Sequence, residues 1–201
     1  MSDNQLTALE QYKEYYSIPD VVPMNVLPIP EQQTIPNWDA FEQEIPDVFR
    51  LASELHTTDS AAIVALRHLG DIAEMIVQVL QQQNAKLNLL LGYVLRNEDN
   101  PEFRQHSIEF GGGGVRYIDN ETLLKVGQQT QLKLFLHKAA HNSTAAIYAY
   151  AEVTNIETTP QGQAITLAFS RIRDDDREIM VRASLHAQSR LLKKRAEERD
   201  K

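Results

Sequence analysis

The sequence predicts an α+β protein: a proline-rich arm, a long helix, a small antiparallel β-barrel and a closing helix. Three observations carry this. Six of the eight prolines fall within residues 1–60. Residues 58–97 contain no proline and repeat apolar side chains at helical spacing. From 105 onward the apolar residues alternate with period two, as half-buried strands do, until a helical pattern returns after 173.

The arm, residues 1–57, centres on "IPDVVPMNVLPIP" at 18–30. Each proline removes a backbone donor and fixes φ, so this stretch is no regular helix. Between the prolines stand Val21, Val22, Met24, Val26, Leu27 and Ile29, too apolar for a free linker. An extended arm is expected, packed on its own domain or on a neighbouring subunit. Short helices near 4–16 and 38–55 are expected beside it, anchored by Tyr12, Tyr15, Tyr16, Trp38, Phe41 and Phe49.

Residues 58–98 read as one long helix, with Asp59 or Ser60 to cap its start. With Leu69 at heptad position a, that series continues through Ile76, Gln83 and Leu90. Position d holds Ile72, Val79, Lys86 and Tyr93, and position e adds Leu80, Leu87 and Val94. Such a stripe is wider than a two-stranded seam requires. A helix of roughly 40 residues spans about 60 Å, longer than a small domain, and needs partners. Self-association through Leu69, Ile72, Ile76, Val79, Leu87 and Leu90 is expected. Gln83 and Lys86 interrupt the seam, as polar residues that set register and oligomer state do.

The barrel region, with its closing helix, is 104–201. Ile108 and Phe110, Val115 and Tyr117, and Leu132, Leu134 and Leu136 alternate with polar neighbours. So do Ile147, Ala149, Ala151 and Val153, and then Ile165, Leu167 and Phe169. "TTPQG" at 158–162 is a turn, and Gly127 marks another break. In the final helix Asp174 to Asp176 lie at the positive end and Lys193, Lys194 and Arg195 at the negative end, as the macrodipole favours.

Charge and composition narrow the function. The chain carries a net charge of −8 and no cysteine, which excludes disulfides, thiol catalysis and cysteine-ligated metal. Residues 1–60 hold eleven acidic side chains against Lys13 and Arg50, which argues against DNA as a partner. With no signal-like opening and no apolar run long enough to span a bilayer, a cytoplasmic protein without membrane insertion is expected. No spacing implies a nucleophile elbow, a phosphate loop ending in Lys-Ser/Thr, or a forced pair of carboxylates. No catalytic residues and no cofactor are therefore assigned. His137 and His141 bracket a strand end without a third ligand nearby, so no metal site is assigned either.

One stretch stands out: "EFGGGGVRY" at 109–117. Glycine loses more freedom on folding than any other residue, so four in succession are a costly turn. Successive N–H groups could cradle a phosphate, with Arg104 and Arg116 as flanking cations. Alternatively, two backbones pass closely there. Both readings stay open at this level.

The order of glycine turn, "GVRY", "LLKVGQQTQLKLFL", "AYAEVTNIE" and "ITLAFSRIRDDDREIMVRASLHAQ" resembles the PilZ domain, from about Arg104 to about Leu192. The resemblance implies a six-stranded antiparallel barrel followed by a helix, in a superfamily of bacterial cyclic di-GMP receptors. The preceding heptad helix resembles the atypical branch, whose members form tetramers. The implied function is a non-catalytic signalling or adaptor protein with an unidentified protein partner, and cyclic di-GMP as a possible ligand. In the family, RxxxR grips phosphate and (D/N)xSxxG follows it. If Gly114 matches the motif glycine, Gly111 stands at the serine and Glu109 at the acidic position. The nearest arginines, Arg96 and Arg104, are eight apart. The implied nucleotide site of Arg104, Glu109, Gly111, Gly114 and Arg116 is thus degenerate. Each lost charge-assisted contact costs about 1.5–3 kcal/mol. The alternative is a homo-oligomeric scaffold that presents barrels to protein partners and binds no nucleotide.

Overall fold

The structure, a computed structural model, describes residues 8–54, 71–120, 124–138 and 143–199. For residues 71–73, 137, 138 and 143 it describes the backbone alone. Leu69, residues 58–70 of the expected long helix with its Asp59 or Ser60 cap, and His141 lie outside the described residues. Two compact units are present. Among described residues the first comprises 8–35, 101–134 and 148–199, and the second 36–54, 71–100, 135–138 and 143–147.

The first unit holds a closed barrel. Its strands are β2 (Pro23–Pro28), β3 (Arg104–Gly111), β4 (Gly114–Asp119), β5 (Gln129–Lys138), β6 (Ser143–Thr159) and β7 (Gly162–Arg171). The order β3-β2-β5-β6-β7-β4 closes through a β3–β4 pairing. One strand therefore comes from the proline-rich arm, while the five alternating runs read from the sequence supply the others. β2 pairs antiparallel with β3 on one side and β5 on the other. Its prolines stand at its two ends, where a missing donor interrupts the ladders least. Met24 and Val26 are buried with Leu132, Leu134, Val153, Ile165 and Leu167, none more than 5% exposed. The strand at 23–28 and those that follow residue 104 thus belong to one sheet, and the boundary placed at 104 from the sequence divides it.

A short strand β1 (Ser17–Ile18) pairs with the far end of β3, Ser17 opposite Gly111 and Ile18 opposite Phe110. β1 and β2 run along the same edge of β3, interrupted at 19–22 where Pro19 cannot donate. Ser107 bridges the interruption. Its buried hydroxyl accepts from the Val22 N–H at 2.8 Å and donates to the Asp20 carbonyl at 2.9 Å. Its own N–H donates to the Val22 carbonyl at 3.0 Å. A seven-residue helix α1 (Ala8–Glu14) precedes β1, shorter than the expected 4–16. The long helix α5 (Asp174–Arg199) closes the chain and buries Ile179, Met180, Ala183 and Ala187.

The second unit contains α2 (Trp38–Glu44), α3 (residues 47–54) and α4 (Asp71–Leu95). Asn37 caps α2 by accepting from the Ala40 N–H at 2.9 Å. Pro46 splits the single helix expected over 38–55 into two. Phe41, Ile45, Phe49, Val77, Leu91 and Leu95 are buried here, and the Phe49 ring packs on Phe135 with centroids 6.0 Å apart. One expectation is corrected: the long helix is not amino-terminal to the barrel. α4 lies mid-chain, between β2 and β3, because the apolar arm before it is itself a barrel strand.

Ser107→Ala leaves the Val22 N–H without its partner and is expected to cost about 1–3 kcal/mol in urea unfolding. Ser189→Ala, at an exposed hydroxyl that bonds only within its own helix, is expected to change stability by less than about 0.5 kcal/mol.

Candidate functional site

The four glycines form the tip of the β3–β4 hairpin. Gly111 pairs with Gly114, and Gly112 and Gly113 make the loop. What lies against them explains why no side chain is present. A Cβ on Gly111 would stand 2.4 Å from the Tyr16 carbonyl oxygen, and one on Gly113 would stand 2.5 Å from that of Tyr12. On Gly112 it would meet the Tyr15 ring at 2.5 Å and Val181 of α5 at 2.6 Å. Gly114 differs: its φ is +155°, and a Cβ would press on the Leu167 carbonyl of β7. The first three glycines thus accommodate the α1–β1 segment, and the fourth accommodates a neighbouring strand. Close backbone passage, one of the two readings left open by the sequence, is what the turn displays.

Arg177, from the first turns of α5, ties the segment to the hairpin. Its guanidinium donates to the Gly112 carbonyl at 2.7 Å and lies 5.3 Å from the Tyr15 ring centroid. A cation above an aromatic face is attracted by the ring quadrupole. Beside it, β3 and β4 bring Glu109 opposite Arg116. Arg116 contacts the Glu109 carboxylate at 3.9 Å and the Glu157 carboxylate of β6 at 2.5 Å. Two carboxylates around one guanidinium leave that cluster net negative, which disfavours a phosphate at the same place.

The structure thus brings Glu109, Gly111, Gly114 and Arg116 together, and Arg104 stands elsewhere. Arg104 opens β3 opposite Asn25, seven residues before Gly111. At about 3.3 Å per residue the two are roughly 23 Å apart along the strand. Tyr12, Tyr15, Ser17 and Arg177 are the members that sequence reasoning did not connect with the turn. The signal for them was the glycine run itself, since bare backbone at successive positions implies something large lying on it. Among described residues there is no group of three or more side chains suited to a metal ion, and no helix long and apolar enough to cross a membrane.

Two phenols in this unit are shifted upward. Burial raises Tyr12 above the ordinary tyrosine range; the Ser17 hydroxyl opposes that shift and the Glu109 carboxylate adds to it. Burial, and then the Asp119 carboxylate, hold the fully buried Tyr117 far above that range.

No protein-family model matches the sequence, and no curated protein does. Several solved structures are similar to it. One is the Bacillus subtilis inhibitor of motility, at 15% identity and TM-score 0.46, covering 90% of this chain and 52% of that one. The chain therefore spans about half of that protein's length. Another is a pathogenic protein from Xanthomonas campestris, a tetrameric PilZ-domain protein self-assembled through a helical bundle. It matches at 15% identity and TM-score 0.47, over 92% of this chain and 97% of that one. Six antiparallel strands closed into a barrel and followed by a helix are the architecture that the sequence resemblance implied.

Gly114→Ala is expected to destabilise the chain by about 1–3 kcal/mol in thermal or urea unfolding, because the positive φ and the Leu167 carbonyl both oppose a Cβ. Stability is also expected to fall in alkali. Tyr12 and Tyr117 keep their protons in the folded chain where the unfolded chain loses them. Their contribution is complete below about pH 10 and declines above it by up to about 1.4 kcal/mol per pH unit for each. In Tyr117→Phe the urea midpoint is expected to fall less steeply over that range.

Proposed function

We propose that this chain is a non-catalytic signalling adaptor of the PilZ type. It works as a homo-oligomer joined along α4 and presents its barrels to protein partners. The observation that carries this is the division of α4 into two faces. Val77, Leu91 and Leu95 are buried within its own unit, and Asn88 accepts from the Thr144 N–H at 3.0 Å. The heptad stripe lies on the other face. Ile76 is 49% exposed, Val79 54%, Leu87 46% and Leu90 63%, with Leu80, Tyr93 and Val94 open beside them. A row of large apolar side chains at a, d and e is the surface by which helices bundle. The exposed Gln83 and Lys86 within the row suit the setting of register. The sequence resemblance favours four copies.

The turn supports a scaffold in preference to a nucleotide receptor. The chain's own tyrosines lie on the glycines, Arg116 is engaged by two carboxylates, and Arg104 is remote. Cyclic di-GMP thus meets a covered site with few free cations.

Placing charge at Ile72, Ile76 and Val79 by substitution to Lys is expected to reduce the assembly to monomers in sedimentation, with the far-ultraviolet circular dichroism unchanged. An unchanged mass would remove α4 as the interface. Calorimetric titration with cyclic di-GMP at low and physiological salt is expected to give no saturable heat at micromolar concentration. A saturable signal there, abolished by Arg116→Ala, would replace the scaffold reading with a receptor.

A further inference from the structure

We propose that the second half of α5 docks on α2 and α3 of another copy of this chain, in a contact separate from α4. One face of α5 is already used: Ile179, Met180, Ala183 and Ala187 are buried, where the helix packs on β1 and β3. At about 100° per residue, Leu185, Gln188, Leu192, Arg195 and Arg199 fall on a stripe turned away from that face. Leu185 and Leu192 are exposed, the latter by 57%. Every residue from Leu192 to Arg199 is exposed, so the last two turns lie beyond the part of α5 that the barrel covers. Glu197 and Glu198 stand on the other side of the helix. The stripe is therefore apolar along its middle and cationic at its end.

The surface that fits such a stripe is apolar and acidic, and α2 with α3 supplies one. Residues 36–54 carry five carboxylates against a single cation, Arg50. Arg50 is engaged at the end of α2, where its guanidinium donates to the Glu42 carbonyl at 2.6 Å and the Ile45 carbonyl at 3.2 Å. Trp38 meets Phe41 with its ring edge and is still 53% exposed. Asp39 follows it and Glu42 lies one turn on, both exposed. On α3, Leu51 is exposed with Asp47 one turn before it. A tryptophan within a charged rim is a common anchor of interfaces, and an amphipathic helix laid by its apolar stripe is a common occupant. Opposite potentials on the two surfaces favour the pairing and set its direction. Two copies related by a two-fold axis make the contact twice. Neither surface includes α4, so the inference does not rest on the α4 interface.

The test uses the full chain and a carbodiimide, which joins a carboxylate to a lysine amine in direct contact. In the native chain, links from Lys193 or Lys194 to Asp39, Glu42 or Asp47 are expected. Two further chains separate contact between copies from contact within one. The first carries Lys193→Arg and Lys194→Arg, and the second carries Asp39→Asn, Glu42→Gln and Asp47→Asn. Neither can form these links alone. Expressed together, they are expected to form them, from the carboxylates of the first to the lysines of the second. Trp38→Ala and Leu192→Asp, both at exposed positions, are each expected to lower the native yield at least about 10-fold. Links in the native chain but none in the co-expressed pair would overturn the proposal, because α5 would then meet its own chain. Absence of the links from the native chain would overturn it too, as would a yield unchanged by both variants. Sedimentation reports the α4 interface separately, so either reading can fail without the other.

Discussion

The structure depends on β2 lying between β3 and β5. Without it, both neighbours would present unpaired edges, and an open β-edge is a template for pairing with other chains. With it, the six strands close and no barrel strand is left unpaired on one side. The arm performs this with few residues. Pro23 and Pro28 bound the strand, Met24 and Val26 enter the core, and Ser107 ties down the irregular stretch before it. Closure therefore joins residues about 80 positions apart, such as Asn25 and Arg104. Such non-local pairing slows folding more than it lowers stability, since loop entropy grows only slowly with length.

The same arrangement decides what the chain can do. Everything in sequence between β2 and β3, including α4, is bounded at both ends by strands of one sheet. α4 is apolar on two faces. One face completes its own unit and the other is exposed. Burial of the first face explains the helix's presence in the monomer. It does not consume the heptad stripe, because the stripe is centred about 100° around the helix from the buried residues.

The glycine hairpin follows a related logic of close approach. Its backbone meets α1 and β1 from one side and β7 from another, so each position that would carry a Cβ is already occupied. A site made in this way is easily covered by the chain's own main chain. The Arg177 guanidinium, held by the Gly112 carbonyl and the Tyr15 ring, secures that cover. Nearby, Arg116 is shared by the Glu109 and Glu157 carboxylates.

The sequence by itself determined the elements whose signals are local. Alternation placed β3 to β7, "TTPQG" ends in the β6–β7 hairpin, and the acidic run Asp174–Asp176 opens α5. The heptad row in 72–94 was legible because helical periodicity is a property of spacing alone. Only the tertiary structure decided what depends on distant partners. Prolines at 19, 23, 28 and 30 hid β2, since local propensity disfavours a strand that two long-range ladders stabilise. Charge and proximity suggested Arg104 for the turn, yet the direction of β3 carries it to the opposite end. Arg177 and Tyr15 were invisible as partners because α5 and the arm meet only after the barrel closes. Spacing reports which face a residue occupies; what that face touches is settled by the fold.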